Sequence, residues 1–420
     1  MSEHEAMDGT RFDNIMVEDA PMGIDLDLLL GDDIFNKEEP ILSIDDVDDK
    51  EVIEFPHFKV STRRFMEVLK MSNVICQGSG GDIECKSIGI QVVGDKVVFY
   101  LTDFEMFVRK EVQVINTENM LTDFIVVNLP IISRIIAACS SVTTIFKKDN
   151  EYFLKVVGGD IHLETLRVTK EQMEGKDFDK AKKYGKLPTR ELNEALKALF
   201  PLASSAVTTA QRRIFIIGKE FFSVYVFCTA KISTDFEMPE MDLSIKSLKI
   251  LYILSLGYAL PEISVQRYKN RIILTGDGFM FSFLLSEYKP KIEYINGIES
   301  IMNNESVNVD TIYLSKFAKI SSTLIYSTTR MDFNYNNDGR VEFVMRTKRN
   351  DSNIILKGES NPNLKPLEKS VGIQSNMLRS LLGVFSQMPT LKMRITPDGI
   401  GISNGNYEGV LYTEKIGTVE

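Results

Sequence analysis

From Pro56 onward the chain alternates short segments rich in Val, Ile and Phe with compact turn signals: Gly94-Asp-Lys96, Lys148-Asp-Asn-Glu151, Gly276-Asp-Gly278 and Asn337-Asp-Gly339. Such spacing predicts antiparallel hairpins. Between them lie stretches whose apolar positions recur every three or four residues, which predicts amphipathic helices. One unit of this kind occurs three times: an apolar helix of about three turns, then strand, turn and strand. The helices are Asn128–Cys139, Ser244–Leu254 and Ser375–Phe385, and the strand pairs are Thr144–Leu154, Glu262–Leu274 and Leu391–Ile402. Each copy follows another amphipathic helix and a strand-rich stretch; those earlier helices are Ser61–Asn73, Thr189–Ser204 and Ser315–Ser327. The fold class expected is α+β, with three repeats of about 120 residues each.

The expected boundaries are a tail at 1–55 and domains at 56–175, 184–300 and 306–420. Two linkers are expected between the domains, one at Glu171–Lys183 and one near Ile298–Ser306.

The helix faces carry the next signal. Phe65, Val68 and Leu69 form one stripe, with Arg63 and Lys70 on another face. Leu192, Ala195 and Leu199 repeat this against Arg190 and Lys197, and Phe317, Ile320 and Leu324 against Lys316 and Lys319. Lys246 and Lys249 stand beside Leu248, Leu251 and Tyr252, while Arg134 and Arg379 add a cation to the other two helices. On any single helix these would be ordinary solvated cations. Six helices behaving alike point to a shared basic surface suited to phosphate backbones.

Charge along the chain agrees with that. Residues 1–55 hold 18 acidic and 3 basic side chains, a net of −15, against −10 for the whole chain. The body therefore carries 46 basic and 41 acidic side chains, a net of +5. A tail so acidic and so poor in apolar periodicity cannot bury enough surface to order itself, so disorder is expected there. The longest apolar stretch, Ile250–Leu260, is far below the ~20 residues of a membrane span, so no membrane association is expected. The N-terminus lacks a secretion-signal layout, and four cysteines without CxxC spacing (Cys76, Cys85, Cys139, Cys228) predict a reducing, cytoplasmic setting.

Catalytic chemistry finds little support. His4, His57 and His162 lie far apart, so no Ser or Cys nucleophile has an evident base. Gly78-Ser-Gly-Gly81 lacks the Lys-Ser/Thr that completes a phosphate-binding loop, and the tail pairs Asp45-Asp46 and Asp48-Asp49 lack a glycine-shaped cation loop. No catalytic site, metal or cofactor is expected. An enzyme with an unrecognised site and a three-repeat scaffold remain as alternatives.

At these residues the chain resembles the bacterial-type DNA sliding clamp, the DNA polymerase III beta subunit. Within Val97–Arg109, Thr102-Asp-Phe-Glu105 resembles that family's Thr-Asp-Leu-Glu strand, and Gly158–Leu166 is similar to the family's closing strand of the first unit. Leu187-Pro188 resembles the start of its middle domain, and Pro290–Ile295 its Phe-Pro-Asp-Tyr segment. The resemblance covers Pro56 to about Ile416, and its strength lies in the order of three units. The departures from the usual pattern, with the acidic extension, suggest a divergent member such as a phage would encode.

The resemblance implies two chains joined head to tail, with helices lining a ring around duplex DNA and sheets outside. It implies contact with phosphates without base reading, and as partners a DNA polymerase, a clamp loader and a second copy. Arg63, Lys70, Arg134, Arg190, Lys197, Lys246, Lys249, Lys316, Lys319 and Arg379 would line the ring. It also implies a pocket for partner peptides, carried over to Arg213, Ile216, Lys231, Ile232, Pro290, Ile295, Val410 and Tyr412. Here Cys228-Thr-Ala230 replaces the family's Asp-Gly-His, and Tyr412 its usual Met. In the tail, Ile24–Leu30 with Ile34-Phe35 loosely resembles the peptides that enter such pockets, which would make the tail an inhibitor of its own pocket or channel.

Overall fold

Each repeat opens on a threonine that starts a helix, Thr62, Thr189 and Thr311, and all three are buried. The helices in chain order are α1 (Thr62–Cys76), α2 (Leu129–Ile135), α3 (Lys170–Glu174), α4 (Thr189–Ser205), α5 (Ile245–Leu256), α6 (Ile292–Met302), α7 (Thr311–Leu324) and α8 (Ser375–Val384). In this computed structural model the described residues are 53–413, apart from 77–81, 117, 176–177, 207–210, 226, 257–260, 287–291, 325–329 and 347–350. The acidic tail up to residue 52, the Gly78–Gly81 loop and Pro290 lie outside them.

Short polar side chains start several of these helices. Asn128 Oδ1 accepts from the Ile131 N–H, Ser244 Oγ from Ser247 and Asp310 Oδ1 from Ile312 and Tyr313, each satisfying otherwise orphaned donors. The stripes of α1 and α4 fall where periodicity put them: Phe65, Val68, Leu69, Leu192, Ala195 and Leu199 are all buried. On α7 the stripe is rotated from expectation. Leu314, Ala318 and Ser321 face inward, whereas Ile320 is exposed.

Among the described residues four antiparallel sheets hold the strands, and two of them join different repeats. One eight-stranded sheet runs Ile125–Asn128, Ser87–Val93, Lys96–Thr102, Met106–Gln113, Phe279–Leu284, Arg271–Gly276, Glu262–Tyr268 and Lys182–Pro188. Its seam between repeats is the pairing of Met106–Gln113 with Phe279–Leu284. The other runs Met241–Ser244, Arg213–Ile217, Glu220–Tyr225, Cys228–Ser233, Tyr407–Tyr412, Gly399–Asn404, Thr390–Thr396 and Val307–Asp310. Its seam is Cys228–Ser233 on Tyr407–Tyr412.

Two four-stranded sheets remain. His57–Ser61, Val142–Lys148, Glu151–Val156 and Gly159–Leu163 form one; Asp351–Ile355, Val341–Arg346, Arg330–Tyr335 and Val371–Gln374 form the other.

Six helices pack side by side in a single row, in the spatial order α2, α1, α5, α4, α8, α7. The row lies on one face of the sheets, over one continuous apolar core. Part of each segment expected to be a linker instead covers the opposite face. α3 is held by a capping box between Thr169 and Gln172, and Met173 packs with Val98, Tyr100 and Val126. α6 sets Ile298 and Ile301 into Phe215, Phe222, Val224, Val410 and Tyr412. A sheet buried on both faces needs apolar cover on each, and the connecting segments supply it.

Candidate nucleic-acid interface

The cations singled out from sequence all stand on helices of the row. Arg63, Arg134, Arg190, Lys197, Lys316 and Lys319 are exposed, and Lys70, Lys246, Lys249 and Arg379 are half-buried. Burial pulls the Lys70 ammonium below the usual lysine range, with Glu67 opposing and Arg63 adding to the effect. Burial alone lowers Lys249. A phosphate at either would restore the favourable partner that water no longer provides.

Several of these cations already have company. Arg190 Nε donates to Glu194 Oε1 at 3.0 Å on the outer face of α4, and that bond raises its pKa. Lys197 Nζ lies 5.8 Å from the Tyr252 ring centroid, a cation–π contact that fixes α4 to α5. Lys316 Nζ and Lys357 Nζ flank the Tyr313 ring at 5.9 and 5.1 Å.

Lys246 differs from the rest. Its Nζ lies 3.6 Å from Asp103 Oδ2, a buried carboxylate of the first repeat, and donates to the Ile75 carbonyl at the end of α1. Arg271 grips the same turn from the second repeat, donating to the Glu105 and Phe104 carbonyls at 2.9 and 3.2 Å and lying over the Phe107 ring. The Thr102–Glu105 segment is therefore a clasp between repeats, with Phe104 in the left-handed region at φ 67°. Sequence reasoning missed Arg271 because the residue that holds a turn 166 positions away leaves no local signal.

The residues expected to form a peptide pocket do not share one surface. Strand alternation separates them: Ile216 and Ile232 point into the core under the helix row, while Arg213, Lys231, Val410 and Tyr412 lie on the opposite face. Ile216, Ile232, Val410 and Tyr412 are all buried. The outer face is covered by α6, whose residue 295 belongs to the helix. Lys231 Nζ is held between Glu220 at 3.0 Å and Glu408 at 3.1 Å, and Arg213 pairs with Asp242.

No protein-family model matches the sequence, and no curated protein does either. Solved structures match over almost the entire body of the chain. A sliding clamp of Bartonella birtlesii, bound to griselimycin, superposes with a TM-score of 0.71 at 14% identity, over 85% of this chain and 99% of that one. A Caulobacter crescentus beta sliding clamp gives 0.71 at 12% identity, over 85% and 98%. The beta subunit of Thermotoga maritima DNA polymerase III gives 0.68 at 12%, again over 85% and 98%. The chain has the α+β fold of a sliding clamp, with three repeats each giving two helices to one row. Among such clamps its fold is that of the DNA polymerase III beta subunit.

Proposed function

We propose that this chain is a DNA sliding clamp, without catalytic activity, whose ring encircles duplex DNA and tethers a replicative polymerase. The observation that carries this reading is the repetition of seams. Within the chain, the fourth strand of one repeat pairs with the last strand of the next: Met106–Gln113 with Phe279–Leu284, and Cys228–Ser233 with Tyr407–Tyr412. The fourth strand of the third repeat, Asp351–Ile355, and the last strand of the first, Gly159–Leu163, are the sheet edges left over. Likewise α1 packs on α5 and α4 on α8, which leaves α7 and α2 at the two ends of the row.

The unpaired ends carry apolar residues where the paired ones are buried. Ile131 on α2 is 47% exposed, whereas its counterparts Ser247 and Met377 are 2% and 8% exposed. Ile320 on α7 is 44% exposed against 1% for Met71 at the same position of α1. An exposed edge strand and apolar helix faces of this kind call for a partner. A second copy joined head to tail offers the matching end, and two such contacts close a ring of six repeats. The helix row then faces inward, and its cations meet phosphates without reading bases, which permits sliding.

We take the domains as 56–175, 184–300 and 306–420. Partner peptides are assigned to the surface around α6, at the seam between the second and third. A clamp loader would open the ring, in the cytoplasmic compartment that holds the replicating DNA. The reading is tested by assembling the protein on nicked circular DNA with loader present, then linearising the circle. A clamp stays on the circle and runs off the linear form. Equal retention on both overturns the reading.

A further inference from the structure

Strand alternation lays a row of rings across the outer face of the first repeat's four-stranded sheet. His57, Phe146, Phe153 and His162 stand in register on its four successive strands. Ile145 and Leu154, their neighbours along the strands, point the other way into the core. The Phe146 and Phe153 rings stack at 5.4 Å, and His162 meets Phe153 edge-on at 5.5 Å. At the other end Phe55 stacks on Phe146 at 6.1 Å, with Lys148 Nζ 5.4 Å from the Phe55 ring centroid. Phe146 is buried there, whereas Phe153 is half-buried and His162 exposed.

The third repeat shows what covers such a face. There α6 lies over Thr390–Thr396, Gly399–Asn404 and Tyr407–Tyr412, the counterparts of Val142–Lys148, Glu151–Val156 and Gly159–Leu163. It stands shortly ahead of Val307–Asp310, the strand that opens its repeat, and grips the sheet through Ile298 and Ile301, three residues apart. The strand that opens the first repeat is His57–Ser61. Shortly ahead of it in sequence runs Ile41-Leu-Ser-Ile-Asp-Asp-Val-Asp-Asp-Lys-Glu-Val52, in which Ile41, Ile44 and Val47 recur every three residues. Fully extended, such a segment reaches up to about 40 Å. Four strands span roughly 14 Å. The chain enters the sheet through Phe55, which already lies on the row.

We propose that the segment Ile41–Val52 docks on the ring row of its own first repeat, as α6 docks on the third, with Ile41, Ile44 and Val47 meeting Phe153 and His162. Burial of apolar side chains drives the docking, not charge, since Lys148 and Lys155 on that face stand opposite Glu151 and Asp160. A weak contact suffices, because a short tether gives an effective concentration on the order of millimolar. The proposal goes beyond the clamp reading and holds for a single chain. It gives the end of the acidic tail a place on the outer wall, on the sheet face turned away from the core and the row of helices.

The test is hydroxyl-radical footprinting of the full chain, with the oxidation rates of Phe153 and His162 read by mass spectrometry. Removing residues 1–50 should raise both rates about threefold, the change given by a tethered segment that fills its site about two-thirds of the time. Removing residues 1–38 leaves the segment in place and should change neither rate. In the full chain, Ile44→Asp with Val47→Asp should raise the rates as far as the longer deletion does, whereas added salt should not. Equal rates in the full chain and the 1–50 deletion overturn the proposal, as does full exposure already reached on removing residues 1–38. Protection that persists in the 1–50 deletion and grows with protein concentration assigns the face to a second copy and overturns it as well. Failure to stay on circular DNA would sink the clamp reading and leave these outcomes as they stand.

Discussion

The backbone of Gly297, in the middle of α6, rests directly on the phenol of Tyr412: a Cβ there would lie 2.7 Å from the hydroxyl oxygen and 3.0 Å from Cε1. The same helix presses Ile301 and Met302 onto Gly401 of the neighbouring strand, where a Cβ would meet them at 2.9 and 3.2 Å. This close seating keeps α6 on the sheet face that bears Val410 and Tyr412. Gly297→Ala should therefore destabilise the protein by roughly 1–3 kcal/mol in denaturant unfolding. Adding Tyr412→Phe, which removes the nearest atom, should restore part of the loss. Full stability in the single variant would show that the helix does not need this approach.

The clasp between the first two repeats gives Lys246 a role different from the other cations. Lys246→Ala leaves the buried Asp103 carboxylate without its counter-ion and should cost roughly 1–3 kcal/mol. Arg63→Ala has no such partner to strand and should leave unfolding nearly unchanged while lowering the DNA salt slope by about one. Thermal unfolding and salt titration of both variants separate the two roles.

Glu194 pairs with Arg190, and under the clamp reading it would compete with DNA for that guanidinium. Replacing it by Gln should free the guanidinium, tighten duplex binding at low salt and steepen the salt dependence by up to about one. The exposed pair itself contributes little to folding, so the melting temperature should hardly move.

Lys110 provides a pH signature of the first repeat. It is buried in the strand Met106–Gln113, and burial pulls its pKa down to about 8 from 10.5, with Glu67 opposing. Between about pH 8 and 10.5 the unfolded chain holds a proton there that the folded chain has released, so stability should rise with pH across that window. The rise should be on the order of 2–3 kcal/mol, and Lys110→Met should abolish it while stabilising the protein at pH 7. Urea unfolding at pH 7, 8.5 and 10 measures both.

Ring closure is checked at the unpaired ends. Ile355 is 50% exposed on the free edge strand, and Ile131 stands on the end helix. Ile355→Lys combined with Ile131→Glu should convert a dimer to a monomer in light scattering, with little change in the unfolding of the single chain. A dimer that survives both changes would place the contact elsewhere.

Local periodicity was enough to read three rounds of helix and strand, because the 3.6- and 2-residue repeats arise within each element. Phe65, Leu192 and Leu199 lie inward as their spacing requires, while Arg63, Arg190 and Lys197 are exposed and Lys70 is half-buried. Which strand edges join across repeats was decided only by tertiary structure, as was the cover that α3 and α6 place on the outer sheet faces. In strands buried on both sides, such as Arg213–Ile217 and Tyr407–Tyr412, successive apolar residues carry no alternation, so Ile216 and Val410 look equivalent in sequence yet face opposite layers. Lys246 likewise reads as one more surface cation until Asp103, 143 residues earlier, folds beside it. Spacing along a chain specifies the side of an element on which a residue sits; what that side meets depends on long-range packing, which no local pattern encodes.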